Sequence, residues 1–342
     1  MKVFECGNCG NAAYFDNTVC VHCGMRLGYD PEQARMLALA PGSDGWRLCA
    51  NAAHDACNWL VPVHEDAEFC AACRHNRTVP DLSMPDAAEN WRRIEAAKRH
   101  LFYSLMRWRL PMPDRNQDPD EGLAFDFLAD NQMPDGTVET VLTGHENGLI
   151  TINVAEGDDA ERERRRAQMG EPYRTLLGHF RHEIGHYYWD RLVRDRGNLD
   201  AFRDLFGDDR EDYAASLQRH YENGPPAGWQ LSYISAYATT HPWEDFAETW
   251  AHYLHIVDTL ETAAAFGMTV THPDGLEASD IFDPYRTRDV SRLLSAWVPM
   301  TVAINAVNRS MGQPDLYPFV LSDPIARKLQ FVCDMVLGQS HR

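Results

Sequence analysis

The 342-residue chain is 44% hydrophobic and 24% charged, with a formal net charge of -19, a composition that allows a sizeable buried core of the ordinary globular kind. So acidic a chain repels phosphate backbones, whose binders cluster Lys and Arg to displace counterions, and nucleic acid is excluded as a partner. The longest apolar stretch, "LLSAWVPMTVAINAV" at 293–307, is broken by Ser295, Pro299, Thr301 and Asn305; it falls short of the roughly 20 residues that cross a bilayer and predicts a buried core helix, with no membrane partner.

The chain opens on "MKVFECGNCG", which has no basic region followed by an apolar one, and a cytoplasmic location is expected. Eight of the nine cysteines lie in the first 73 residues. Cys6, Cys9, Cys20 and Cys23 read C-x2-C-x10-C-x2-C; two C-x2-C turns facing each other present four thiolates tetrahedrally, the closed geometry of structural zinc. Cys49, Cys57, Cys70 and Cys73 form a second quartet with one such turn, in which His54 or His64 could replace a cysteine. Disulfides are the competing reading, but a reducing compartment and the two-residue spacing speak against them. Both zinc sites are saturated by protein ligands and therefore serve as scaffolding. Cys333, alone in "KLQFVCDMV", reads as a small buried hydrophobe.

Residues 77–90, "RTVPDLSMPDAAEN", are rich in Pro and polar residues and separate a zinc-ribbon module at 1–78 from a main domain at 85–342. Trp91, Ile94, Leu101, Leu105 and Trp108 recur on one helical face. Three strand candidates follow, "LAFDFLA", "TVETVLT" and "GLITINVAE" with Gly148 at its turn, and predict a small, mostly antiparallel sheet. The mixed charge run at 158–168 reads as a solvated face. Helices are expected at 172–193, 199–223 with a break near Gly207, 242–266, 288–310 and 323–338. Sheet first and helices after make the main domain α+β.

Within the first of these helices, "HFRHEIGHYYWD" at 179–190 sets His182 and His186 four apart with Glu183 between them. Residues at that spacing share a helix face, so both imidazoles can reach one metal while Glu183 sits toward a metal-bound water. A catalytic zinc takes three protein ligands and leaves one position for water. The third is best sought in "HPWEDFAETWAHYLHI" at 241–256, where Glu244 is the candidate ligand and Glu248, one turn on, can accept the other ring N–H of a histidine ligand. Helix-start acids that only complement the macrodipole would look the same. His241, His252 and His255 compete less well, and Asp190 and Asp245 project elsewhere.

"RHEIGHYYWDRL" followed by "WEDFAETWAHYL" resembles the gluzincin metallopeptidases, in which a downstream helix glutamate completes a zinc site. The resemblance implies a zincin-like fold, Glu244 as ligand, Glu248 as support, and an oxyanion-stabilising tyrosine seven residues before the ligand, here Tyr237, with Tyr233 close by. Over most of its length, through "CGNCGNAAYFDNTVCVHCG", "GEPYRTLLGHFRHEIGHYYWDRL" and "PWEDFAETWAHYLHI", the chain is similar to a bacterial family of zinc-binding metallopeptidases with an N-terminal zinc ribbon. The expected cofactors are one catalytic and two structural zinc ions. The expected activity is hydrolysis of a peptide or isopeptide bond in a peptide or protein substrate, with Glu183 as general base and the ribbon free to bind a protein partner. The alternatives are a non-catalytic adaptor whose third zinc is structural, and a regulatory protease specific for one protein.

Overall fold

A computed structural model describes residues 1–40, 45–133, 135–169, 175–270 and 282–338. The chain forms two compact units, 1–106 with 111–180, and 107–110 with 181–342.

The first unit begins with a cysteine-rich module of short antiparallel pairs: β1 (Phe4–Glu5) with β2 (Ala12–Ala13), β3 (Arg26–Asp30) with β4 (Arg35–Leu39), and β5 (Trp46–Leu48) with β6 (Leu60–Pro62). Strands this short bury little area, so the module depends on cross-links and on one aromatic cluster. Phe15 is at its centre, edge-on to Tyr29 at 4.8 Å and to Trp59 at 6.1 Å. Next come β7 (Asn76–Thr78) and the helix α1 (Ala87–Arg107), so the expected linker shortens to 79–86. The periodic face of α1 is buried as predicted, through Trp91, Ile94, Leu101 and Leu105.

Four strands make the unit's sheet: β7, β8 (Ala124–Leu128), β11 (Gly144–Glu146) and β12 (Leu149–Asn153), in the order β11-β12-β8-β7. Between β8 and β11 a separate pair, β9 (Asn131–Gln132) and β10 (Val138–Glu139), forms its own ribbon. The fold class is α+β, but the sheet is mixed: β11–β12 is antiparallel, whereas β12–β8 and β8–β7 are parallel. The expectation of mostly antiparallel pairing is thereby corrected. For β7 and β8 the cause is connectivity, because α1 carries the chain back between them and a strand returning through a helix runs parallel. "TVETVLT" supplies only the exposed two-residue β10. Asn147 and Gly148, both at positive φ, make the two-residue turn that joins β11 to β12. The charge run forms a helix, α2 (Asp159–Met169), with Arg162–Asp159 and Arg164–Glu161 pairs along it.

The helix α3 (Leu176–Tyr188) starts in the first unit, where Phe180 meets Phe125 at 5.8 Å, and ends in one turn of π-helix, Trp189–Arg194. Pro172, expected in its first turn, lies outside the described residues. The second unit adds α4 (Leu199–Phe206), α5 (Tyr213–Asn223), α6 (Pro242–Ala265), α7 (Val290–Ser310) and α8 (Asp323–Gly338). α6 is its axis, buried along most of its length. Among the described residues α7 is the one helix long and apolar enough to cross a membrane, and only 33% of its apolar window is buried. The expected core helix is thus buried on one side alone: Leu293, Trp297 and Met300 face inward, while Val298, Val302 and Val307 are exposed. Mean apolarity had concealed that two-sidedness.

Candidate metal centre

In the second unit, α3 presents His182, Glu183 and His186, and Gly185 lets α6 come close. A Cβ at Gly185 would meet Ala247 Cα at 3.0 Å and Trp250 Cβ at 3.2 Å. One turn on, the Tyr188 ring stacks on Trp250 at 4.9 Å. α6 begins sharply: Pro242 occupies its first turn, and His241 caps it by accepting the Trp243 N–H at 3.1 Å. Nε2 of His241 is 3.1 Å from the Glu211 carbonyl oxygen, so His241 is committed to the cap. From that start Glu244 and Glu248, four apart, share the face turned to α3.

Three side-chain atoms converge there. His182 Nε2 lies 3.2 Å from His186 Nε2 and 3.0 Å from Glu244 Oε2, and the third edge, His186 Nε2 to Glu244 Oε2, is 3.4 Å. Zinc bound at about 2.0–2.1 Å by such ligands sets tetrahedral edges of about 3.3–3.4 Å. The donor set also suits a cation. His182 Nδ1 is 2.6 Å from Glu248 Oε1, and since a carboxylate only accepts, that nitrogen carries the hydrogen and Nε2 offers a lone pair. His186 is fixed from the side by Trp243, whose ring centroid is 3.6 Å away.

Charge follows the same logic. Burial works against a charged His182, yet the Glu244 and Glu248 carboxylates outweigh it and raise its proton affinity well above the usual histidine range, and a cation bound at Nε2 would take the place of that proton. Burial likewise opposes the Glu244 carboxylate, and the imidazoles of His186 and His182 keep it well below the usual carboxylate range. The space between them favours positive charge. Glu183, buried beside them, is shifted the other way: burial raises its carboxyl against the lowering effect of the two imidazoles.

The remaining candidates separate cleanly. Tyr237, in a 3-10 turn at Tyr237–Thr239, has its ring centroid 5.8 Å from that of His182. Tyr233 instead lies under Lys328, whose Nζ is 4.3 Å from its ring centroid. Asp245 accepts from that same Lys328 at 2.5 Å. Asp190 accepts from Arg194 at 2.8 Å, His252 Nδ1 sits 2.7 Å from the Tyr317 hydroxyl, and His255 bonds Arg181. One close neighbour was not anticipated from the sequence: Tyr213, whose hydroxyl donates to Glu244 Oε1 at 2.7 Å. It stands 31 residues before Glu244, and no spacing rule connects them.

In the first unit, Cys6, Cys9, Cys20 and Cys23 bring their sulfurs within 4.8 Å of one another, as do Cys49, Cys57, Cys70 and Cys73. The Cys6–Cys23, Cys9–Cys20 and Cys57–Cys70 separations are 3.8, 3.7 and 3.8 Å, and zinc–sulfur bonds of about 2.3 Å set tetrahedral edges of about 3.8 Å. Neither alternative histidine belongs to the second cluster: His54 lies edge-on to Trp91 at 5.9 Å, and His64 is exposed.

Residues 87–335 match the family described as "Putative zinc-binding metallo-peptidase", and residues 3–84 match a zinc-ribbon domain. The chain belongs to this metallopeptidase family. Its α3 and α6 both fall inside the matched region, and both cysteine clusters fall inside the ribbon. Uncharacterized proteins of Mycobacterium tuberculosis (strain ATCC 25618 / H37Rv) and Mycobacterium bovis are each 44% identical over 98% of this chain and 95% of their own length. No solved structure gives a significant match.

Proposed function

We propose that this member of the family is a zinc-dependent peptidase of the gluzincin type, cleaving a peptide or isopeptide bond. The observation that carries the reading is the triangle of His182 Nε2, His186 Nε2 and Glu244 Oε2, with edges of 3.0 to 3.4 Å, beside a buried carboxyl with no metal-holding duty, Glu183. These three residues would hold the catalytic zinc, and the two cysteine clusters one structural zinc each. Zinc at such a site supplies Lewis acidity and lowers the pKa of water toward about 7. Glu183 takes the proton of the attacking water and returns it to the leaving amine, a task suited by a carboxyl raised above its ordinary range. Glu248 keeps the His182 ring in one tautomer through its 2.6 Å contact. Tyr237 is the candidate donor to the developing oxyanion.

In this reading residues 1–78 are the ribbon module and 85–342 a zincin-like peptidase domain of a cytoplasmic protein, with a peptide or protein as substrate and a protein partner at the ribbon. Nucleic acid and membrane have no part in it. The test is a metal count together with hydrolysis of a peptide library and of candidate native partners, for the wild type and Glu183→Gln. Three zinc ions in both proteins, with cleavage by the wild type alone, is the expected result. A wild type that binds only two zinc ions, or three with no cleavage of any substrate, would replace the peptidase by the adaptor; cleavage of a single native partner would make it a regulatory protease.

A further inference from the structure

The hydrogen bond between Tyr213 and Glu244 bears on a choice every carboxylate ligand faces. A glutamate can give a metal one oxygen or two, and a second oxygen would fill the position that water needs. Here the two oxygens have different surroundings: Oε2 faces His182 Nε2 at 3.0 Å and His186 Nε2 at 3.4 Å, whereas Oε1 accepts the Tyr213 hydroxyl at 2.7 Å.

Tyr213 is itself held independently of Glu244. It is the first residue of α5, behind the N-cap Asp212, whose side chain accepts the Ala215 N–H at 2.9 Å. Its ring lies edge-on to His241 at 5.5 Å and to Trp243 at 5.9 Å, the residues that start α6. Because the Glu244 carboxylate can only accept, the Tyr213 hydroxyl donates to it. A hydrogen bond of this kind is stronger where water is scarce.

We propose that Tyr213 is a positioning residue that keeps Glu244 a one-oxygen ligand and so preserves the open coordination position. The inference rests on the third metal site proposed above. Tyr213→Phe removes the hydroxyl and keeps the ring, freeing Oε1 to turn toward the metal.

The experiment loads the third site with Co(II) while the ribbon keeps zinc, and compares wild type, Tyr213→Phe and the control Tyr221→Phe, at an exposed tyrosine of the same helix. Visible d–d absorption of Co(II) weakens as its coordination number rises. The wild type and the control should show the stronger band of a four-coordinate site. Tyr213→Phe should show a weaker, shifted band, with metal affinity altered about 10–100-fold, as outer-shell changes typically do, and with ribbon zinc and circular dichroism unchanged. A Tyr213→Phe spectrum and affinity equal to wild type overturn the role of Tyr213 while leaving the metal site intact. A wild type that takes up no Co(II) beyond the ribbon overturns the site on which the proposal rests.

Discussion

The cysteine clusters and the helix-pair site gather their donors in opposite ways. Each cluster is assembled from turns close in sequence, Cys6 to Cys23 and Cys49 to Cys73, and offers four sulfurs to one point. The helix-pair site takes two nitrogens from α3 and one oxygen from α6, some sixty residues later, and three atoms are all the described residues bring to it. Four soft donors enclose a metal and stabilise a module too small to hold itself together. Three donors would leave a fourth position for solvent, and Glu183 is buried beside the two histidines. On the function proposed above, donor number, more than metal identity, would separate scaffold from chemistry in this chain.

Removing one donor from each region should separate the two most clearly. His182→Ala should lose one metal of three with the ribbon unchanged, whereas Cys70→Ala should lose a ribbon metal and unfold the module while the helix-pair metal stays. Elemental analysis with circular dichroism reads both, and loss of all metal in either variant would show that the regions are not independent. Glu248→Gln should act more mildly, because the amide can still meet His182 Nδ1 but no longer charges the site: a loss of about 10–100-fold in metal affinity is expected, measured by chelator competition, and an unchanged affinity would reduce Glu248 to packing. Gly185→Ala should have the smallest effect. Its Cβ would press on Ala247 Cα at 3.0 Å, an overpacking cost of about 1–3 kcal/mol offset by the roughly 1 kcal/mol of helix propensity that alanine gains over glycine. Thermal unfolding should show a small net destabilisation, with metal affinity falling as Glu244 is pushed away from the histidines; a stabilised variant with full affinity would mean that the close helix approach is incidental.

Much of this arrangement was legible in the order of residues, for identifiable reasons. Helix period placed α1, α6 and α8 within a few residues of their observed ends, and the four-residue spacings of His182 with His186 and of Glu244 with Glu248 were enough to put each pair on one face. What stayed hidden depends on long-range pairing or on chemistry without a local signature. Parallel registry between β7 and β8 follows from a connection through α1, which no strand pattern encodes. "TVETVLT" alternates as a strand should, yet Val138 and Leu142 are exposed and the segment contributes only two residues of pairing. α2 has no apolar stripe, and its pairs of opposite charge three residues apart signal a helix more weakly than buried leucines would. Tyr213 reaches Glu244 from a separate helix, and only the folded chain places Tyr233 beneath Lys328 and Tyr237 beside His182.

A crystal structure of the zinc-loaded protein would display the coordination sphere of the third site. Zinc should be bound by His182 Nε2, His186 Nε2 and one oxygen of Glu244, with its fourth position taken by solvent or by an added hydroxamate. A fourth protein side chain on that zinc, or a Glu244 turned away from it, would rule out an open three-ligand site.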